Sequence, residues 1–131
     1  MKPISDKTKA VSLAAAYADL NFLPDRTPTT TDTAGAFCRL ADYRDGGIFL
    51  GHYAGNSEWE RHPVGDEIVM VMAGETTVFL LDKGTEQAHC LREGELLVVP
   101  RGTWHRFETP VGVKILTVTP QPTDHAVDKP D

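Results

Sequence analysis

Residues 58–67, EWERHPVGDE, combine side chains that could bind a metal ion. Glu60 and His62 stand two positions apart, so on an extended strand they share one face. Glu67 follows a turn-like Pro-Val-Gly-Asp sequence and opens an apolar stretch. An inward carboxylate at that position needs a partner, which favours a metal over a solvated charge. These residues therefore have the composition of half a metal site.

A second stretch supplies another histidine at the exit of a turn. Residues 94–109 read GELLVVPRGTWHRFET. A glycine precedes a buried apolar strand, a Pro-Arg-Gly-Thr turn follows, and His105 starts the next strand. We expect the fold to bring this histidine to the first stretch.

Together the two stretches resemble the paired motifs of the cupin family. The first family motif is a glycine, a spacer, HxH, a glutamate and a second glycine, and this chain matches its positions with Gly51, Glu60, His62, Glu67 and Gly74. The second motif is GxxxxxPxGxxH, matched by Gly94, Pro100, Gly102 and His105. Thr109 stands where the family often has asparagine. The resemblance spans roughly residues 45–119 and depends on two linked motifs in the right order.

The resemblance implies an all-β fold, the double-stranded β-helix or jelly-roll (cupin) barrel, here with one short N-terminal helix. It also implies a homodimer and a divalent metal bound inside the barrel. Carried over by position, the family's metal ligands fall on Glu60, His62, Glu67 and His105. Glu60 is the departure, because the family normally has a histidine at that position.

This ligand set limits the choice of metal. Two histidines and one carboxylate suit Fe, Mn, Ni or Zn as divalent ions and leave coordination positions for water, oxygen or substrate. If Glu60 also binds, two carboxylates neutralise the dication and favour Mn or Fe over Zn. If it does not, Glu60 is a catalytic base, a hydrogen-bond anchor for a metal-bound water, or the partner of an arginine.

Short strands separated by turn signals dominate the chain from Ala36 onward. They recur about every ten residues, a spacing that predicts a sandwich or a barrel, and read AFCRLADY, GIFLGHY, DEIVMVMAG, ETTVFLLDKG, AHCLREG, ELLVVPRG, WHRFETP and VKILTVTP. We therefore expect an N-terminal helix and extended connector over 1–35, the barrel over 36–120 and a C-terminal tail over 121–131.

The two ends of the chain have their own patterns. Residues 5–20 contain no glycine or proline and have apolar positions at helical spacing, which predicts a short helix capped by Ser5 or Asp6. Residues 23–33 predict an extended connector, and the proline-rich end predicts a loose or partly docked tail.

Residues near the motifs could shape a substrate pocket. Phe107 shares the face of His105, and Phe49 lies two positions before Gly51, so both are candidates for apolar walls. Arg101 and Arg106 could bind a substrate carboxylate, although exposed arginines are commoner. Trp59 and Trp104 fall on the opposite face from their histidine and glutamate neighbours, which favours packing outside the barrel or in a dimer.

Composition excludes several classes of function. With 131 residues and a formal net charge of −6, the chain has room for one compact domain and no electrostatic reason to bind nucleic acid or an anionic membrane. Cys38 and Cys90 lie too far apart for a CxxC metal motif, so we expect buried or idle thiols in a reducing compartment. No apolar stretch of 18 residues occurs, and the cytoplasm is the expected location.

Two classes of function fit these expectations. The first is a metalloenzyme acting on a small oxygenated or acidic molecule, as a dioxygenase, isomerase or decarboxylase, with Glu60 as a possible base. The second is a non-catalytic module that binds a small molecule or senses a metal. The motifs distinguish neither the substrate nor the reaction, since the pocket walls come from several strands.

Overall fold

The computed structural model describes residues 1–5 and 8–131. The helix is α1 (Leu13–Ala18), and the strands in chain order are β1 (Leu23–Arg26), β2 (Phe37–Tyr43), β3 (Gly46–Asn56), β4 (Trp59–Arg61), β5 (Glu67–Asp82), β6 (Thr85–Arg92), β7 (Leu96–Val99), β8 (His105–Pro120) and β9 (Asp124–Ala126). The prediction of a strand-rich chain with one short helix is confirmed for these residues.

The strands join one sheet centred on β8. The order β1-β3-β8-β4-β9 forms its main path, β2 flanks β3, and β5 pairs with β6, β7 and β8. All of these pairings are antiparallel except that of β1 with β3. This topology places the first and second sequence motifs on neighbouring strands.

Two of the predicted strand breaks are absent. The turn expected near Gly74 is a bulge within β5, and the segments predicted on either side of Gly112 are one strand, β8. Gly74 has a φ of 76°, and a Cβ placed on it would lie 2.3 Å from the carbonyl oxygen of Gly112. The two glycines therefore permit a close approach of two long strands, which the sequence alone cannot distinguish from a turn.

The helix is shorter than predicted, which is a correction to the expected range 5–20. α1 spans Leu13–Ala18, and the cap is Ser12, whose hydroxyl accepts a hydrogen bond from the Ala15 amide at 3.1 Å. The Ser5 amide instead donates to the Leu40 carbonyl at 2.9 Å, so Ser5 belongs to a contact with β2. The alternative cap, Asp6, lies outside the described residues. In the described part of the chain, no helix has the length and apolarity needed to cross a membrane.

Both ends of the chain dock on the sheet. β1, within the predicted connector, pairs in parallel with β3. β9, within the predicted tail, pairs with β4 and sets His125 opposite Glu60. The connector and the tail therefore contribute backbone hydrogen bonds to the sheet edges beside the first motif.

The interior of the fold is an apolar cluster on the inner faces of the long strands, made of Tyr53, Val69, Val71, Val78, Leu91, Val99, Phe107, Val113 and Ile115. A second cluster forms where α1 covers the outer face, and its buried members are Ala16, Tyr17, Leu40 and Leu50. β5 contributes to both, since Val69 and Val71 face inward while Met72 packs under the helix. β5 therefore has apolar residues on both of its faces.

Candidate metal centre

Strand register brings four motif side chains together. β4 and β8 pair so that Glu60 lies opposite His105. His62 directly follows β4, and its carbonyl accepts a hydrogen bond from the Gly102 amide at 3.0 Å. Glu67 is the first residue of β5. Pairing between distant strands, rather than nearness in sequence, therefore assembles this cluster.

The donor atoms of the cluster have the spacing of ligands around one ion. Nε2 of His105 lies 3.1 Å from Oε1 of Glu67 and 3.4 Å from Oε1 of Glu60. Nε2 of His62 lies 3.3 Å from Oε2 of Glu67 and 3.9 Å from Oε1 of Glu60. One donor atom from each residue lies within 4.8 Å of the others. Adjacent ligands about 2.1 Å from a metal are themselves roughly 3.0–3.4 Å apart, so the spacing fits.

Three of these atoms are buried and have no hydrogen-bond partner among the described residues. They are Nε2 of His62, Nε2 of His105 and Oε1 of Glu67. Although they are close to one another, their geometry does not align donor with acceptor, because they point toward a shared space. A buried polar atom without a partner costs about 1–3 kcal/mol. The residues present therefore fit a cation, which would give all three atoms a partner.

The other ring nitrogens of the histidines are anchored. Nδ1 of His105 lies 2.9 Å from the Thr103 carbonyl, which can only accept, so this nitrogen donates its proton. Nδ1 of His62 lies 3.0 Å from the Thr123 hydroxyl. An Nδ1 hydrogen bond of this kind fixes the ring orientation and leaves the Nε2 lone pair of a neutral imidazole available to a metal.

Glu67 is anchored by a threonine that the sequence analysis did not single out. The Thr119 hydroxyl donates to Oε2 of Glu67 at 2.6 Å, and both residues are buried. Thr119 and Thr117 alternate with apolar residues on β8 and point inward together. Two threonines that alternate with apolar residues at the end of β8 were the available signal for this role.

The electrostatics of the site favour a positive charge at its centre. Burial alone would lower the pKa of His105, but the Glu60 and Glu67 carboxylates outweigh burial and raise it to about 10. Burial would raise the pKa of Glu67, but the nearby imidazoles of His105 and His62 outweigh burial and lower it to about 2. The field that holds a proton on His105 also favours a divalent ion in its place.

A cavity of about 570 Å³ adjoins the cluster. Glu60, His62 and Glu67 line it, whereas His105 is completely buried behind them. Of the four, Glu60 is the most accessible, with 24% of its side chain exposed. The cavity is large enough for a small organic ligand.

The cavity walls include both aromatic residues proposed from the sequence. Phe49 and Phe107 line it, and they are joined by Phe37 and Tyr53. Burial raises the pKa of the Tyr53 hydroxyl to about 12, against the opposing charge of Arg26. The cavity therefore combines aromatic walls with the charged cluster.

The arginines and tryptophans near the motifs lie outside this lining. Arg101 is exposed and donates to the Pro63 carbonyl at 2.6 Å, and Arg106 forms an ion pair with Glu86 at 2.8 Å. Trp59 and Trp104 lie under the guanidinium groups of Arg106 and Arg61. The cavity arginine is instead Arg26 of β1, which the sequence analysis missed because no motif marks it.

The motifs, fold and site agree with a match to known proteins. A family model described as Cupin domain matches residues 51–119, more than half of the chain. The chain belongs to the cupin family. Its metal-site candidates and most of its long strands lie within or beside this match.

Curated relatives of this cupin are themselves only partly matched. The uncharacterized protein YdbB of Bacillus subtilis (strain 168) is 31% identical over 67 residues, which cover 51% of this chain and 57% of YdbB. Protein SchB of Streptomyces halstedii is 36% identical over 81 residues, covering 62% of this chain and 50% of SchB. The chain thus spans about half the length of these relatives.

A solved structure supports the jelly-roll fold predicted for this cupin. A cupin-2 domain containing protein from Shewanella frigidimarina NCIMB 400 has a TM-score of 0.66 and 23% identity, and the match covers 88% of this chain and 98% of that chain. Hydroquinone 1,2-dioxygenase from Sphingomonas sp. TTNP3, solved with 4-hydroxybenzoate bound, has a TM-score of 0.57 and 20% identity, with coverage of 70% and 67%. At these identities the likeness shows the fold alone.

Proposed function

We propose that this cupin is a divalent-metal-dependent enzyme acting on a small oxygenated molecule bound in the cavity beside Glu60. The observation that carries the proposal is the set of three buried, unpartnered donor atoms on His62, Glu67 and His105. They converge within 4.8 Å at the wall of a ligand-sized cavity. Iron, manganese, nickel or zinc could fill such a set, and two carboxylates favour iron or manganese.

The metal, when bound, would supply a Lewis acid and, if iron or manganese, a site for dioxygen chemistry. The protein residues hold it by fixed geometry: Thr103 and Thr123 orient the imidazoles, and Thr119 orients Glu67. Such anchoring keeps the ligands ready before substrate arrives.

Glu60 has two candidate roles, as a fourth metal ligand or as a base. Its carboxylate is partly exposed to the cavity and lies farther from His62 than the Glu67 carboxylate does. It can therefore complete the ligand set or accept a proton from a bound substrate, and these are the roles that variants at this position distinguish. The apolar walls formed by Phe49 and Phe107 would limit water around the reacting atoms.

The reaction class that fits best is a dioxygenase, in which both atoms of dioxygen enter the substrate and no separate reductant is consumed. A related fold carries hydroquinone 1,2-dioxygenase activity in the Sphingomonas protein. Isomerase and decarboxylase chemistry would use the same metal to polarise a carbonyl or carboxylate oxygen.

Elemental analysis of untagged protein tests the metal, with His62→Ala and His105→Ala as the disrupting variants. We expect about one equivalent of a transition metal in the native protein and less than about a tenth in the variants. His89→Ala is the matched control, since His89 lies outside the cluster. A native protein that stays below a tenth of an equivalent after reconstitution would contradict the proposal.

Turnover is tested with the metallated protein. Oxygen uptake and product formation with phenols, diols and oxo-acids would support the enzyme. Tight binding of such compounds without turnover under any condition would favour the alternative, a non-catalytic binding module.

We also propose that the protein is a homodimer formed through the outer face of β5 and β7. Ile68, Leu96 and Val98 are exposed by 36%, 53% and 46%, although all three are apolar. Ile68 pairs directly with Val98, so these side chains form one apolar surface, continuous with the face that α1 covers at Met72. An uncharged surface of this kind suits association with a second copy around a two-fold axis.

A further inference from the structure

β1 delivers Arg26 to the cavity through a contact that only glycine allows. Arg26 pairs with Gly55 of β3. A Cβ on Gly55 would lie 2.2 Å from the Arg26 carbonyl oxygen and 2.5 Å from its amide nitrogen, and Gly55 has a φ of 113°. Asp25 also adopts a positive φ, of 57°. These local conformations hold the Arg26 backbone against the wall of the barrel.

Aromatic rings hold the Arg26 side chain. Its guanidinium carbon lies 4.6 Å from the ring centroid of Tyr53 and 5.1 Å from that of Phe37. Arg26 is half-buried, and the two rings also line the cavity. Contact with ring faces fixes a guanidinium while its N–H groups, in the plane, stay able to bind an anion.

The charge of Arg26 is not balanced by a carboxylate of the described residues. Among residues 1–5 and 8–131 it forms no ion pair, in contrast to Arg39, Arg61, Arg92 and Arg106, which each contact an aspartate or glutamate. A half-buried cation in a cavity favours an anionic ligand as its partner.

The formal charges around the cavity indicate the charge of that ligand. The carboxylates of Glu60 and Glu67 would neutralise a divalent metal. Among the side chains that line the cavity, Arg26 then leaves one positive charge uncompensated. A singly charged anion restores neutrality, whereas a dianion or a cation does not.

We propose that Arg26 binds the carboxylate of a small monocarboxylate substrate, whose other end faces the metal cluster. The inference rests on the proposed function and assigns the substrate class of the same site. The aromatic walls, Phe37, Phe49 and Phe107, favour an aromatic or unsaturated body for this acid. Arg26 is a binding residue here, and its bidentate geometry matches the carboxylate.

Calorimetric titration of the metallated protein tests this inference without relying on turnover. The probes are benzoate and 4-hydroxybenzoate, each compared with its neutral carboxamide up to about 10 mM, the range of weak ligands. We expect the native protein to prefer the carboxylates and Arg26→Gln to bind them about tenfold more weakly or worse. Arg26→Lys keeps the charge but loses the bidentate geometry of the guanidinium group. Its affinity for the carboxylates should therefore lie between that of the native protein and that of Arg26→Gln.

Two further variants distinguish the loss of the anion site from a general loss of folding or of metal. Arg101→Gln, an exposed arginine outside the cavity, should leave binding unchanged. Gly55→Ala should weaken carboxylate binding as Arg26→Gln does, because the new methyl group displaces the Arg26 backbone. Circular dichroism and metal content confirm that each variant is folded and loaded.

The outcomes distinguish the two proposals. A native protein that binds no transition metal defeats the proposed function, whatever Arg26 does. Three results would overturn the assignment of Arg26 alone. The metallated native protein would bind neither carboxylate, it would bind the carboxylates no better than the carboxamides, or the Arg26→Gln variant would prefer the carboxylates as strongly as the native protein does.

Discussion

Nε2 of His105 lies 3.1 Å from Oε1 of Glu67, yet neither atom has a hydrogen-bond partner in the described structure. The two atoms come from strands that are distant in sequence, and each residue is held from its other side by a threonine group. The contact has the geometry of two candidate metal ligands that converge on one point.

Metal removal should destabilise the protein. An ion present at about a thousand times its dissociation constant stabilises the folded state by about 4 kcal/mol. Differential scanning calorimetry with and without a chelator should therefore show a fall in Tm of about 10 °C or more. Glu67→Gln should abolish this difference, whereas Glu75→Gln, on the exposed part of β5, should preserve it. Equal Tm values for the native protein in both conditions would contradict the metal site.

Thr119→Val should weaken metal binding. It removes the 2.6 Å hydrogen bond to Glu67, and loss of such supporting groups typically costs about tenfold to a hundredfold in metal affinity. Competition with a fluorescent chelator measures the change. Thr29→Val, an exposed threonine near the N-terminal connector, is the control and should have native affinity. Native affinity in Thr119→Val would contradict a supporting role of the Thr119 hydrogen bond in metal binding.

Glu60→His should change metal preference. It replaces one carboxylate with the imidazole usual in the family, so the site should take up relatively more zinc and less manganese or iron. The measurement is metal content after loading from an equimolar mixture. Glu60→Gln is the companion variant: retained metal with lost turnover would assign Glu60 as a base, while an unchanged metal ratio in Glu60→His would exclude it as a ligand.

Alkaline pH should unfold the protein through two tyrosines. Burial raises the pKa of Tyr53 to about 12, and burial followed by the nearby Cys38 raises the pKa of Tyr17 above its usual value of 10.0. Since both pKa values are higher in the folded state, their stabilisation is complete below pH 10 and declines as the pH rises through the folded values. For Tyr53 this is about 2–3 kcal/mol.

Chemical denaturation at pH 8 to about 11.5 measures this loss. Tyr53→Phe should flatten the dependence, and Tyr43→Phe, at an exposed position, should not. A native protein whose unfolding free energy is constant over this range would contradict the prediction.

Charging the outer face should produce monomers. Ile68→Lys and Val98→Lys each place a cation in the proposed homodimer surface, where a desolvated unpaired charge is costly. Light scattering after gel filtration should give twice the chain mass for the native protein and the chain mass for the variants. Val111→Lys, which alters an exposed apolar residue away from this face, is the control. A monomeric native protein at all concentrations would exclude the homodimer.

Much of the fold could be predicted from the sequence because its signals are local. The predicted turn at Lys83 and Gly84 does separate β5 from β6, and Gly84 has a positive φ of 81°, which glycine adopts without strain. Alternation along β5 sets Glu67, Val69 and Val71 on one face, and all three are buried. The limits of α1 were wrong because the backbone of Ser5 is hydrogen-bonded to β2, a contact between segments far apart in sequence.

The sequence by itself determined which residue types could bind a metal, since His62, Glu67 and His105 stand in motifs whose spacing is readable without coordinates. Only the tertiary structure decided how they meet, through the register that sets Glu60 opposite His105. It alone added Thr119 and Arg26, because a supporting hydrogen bond and a cavity wall depend on which strands become neighbours. Side-chain chemistry is local, whereas its convergence depends on long-range pairing.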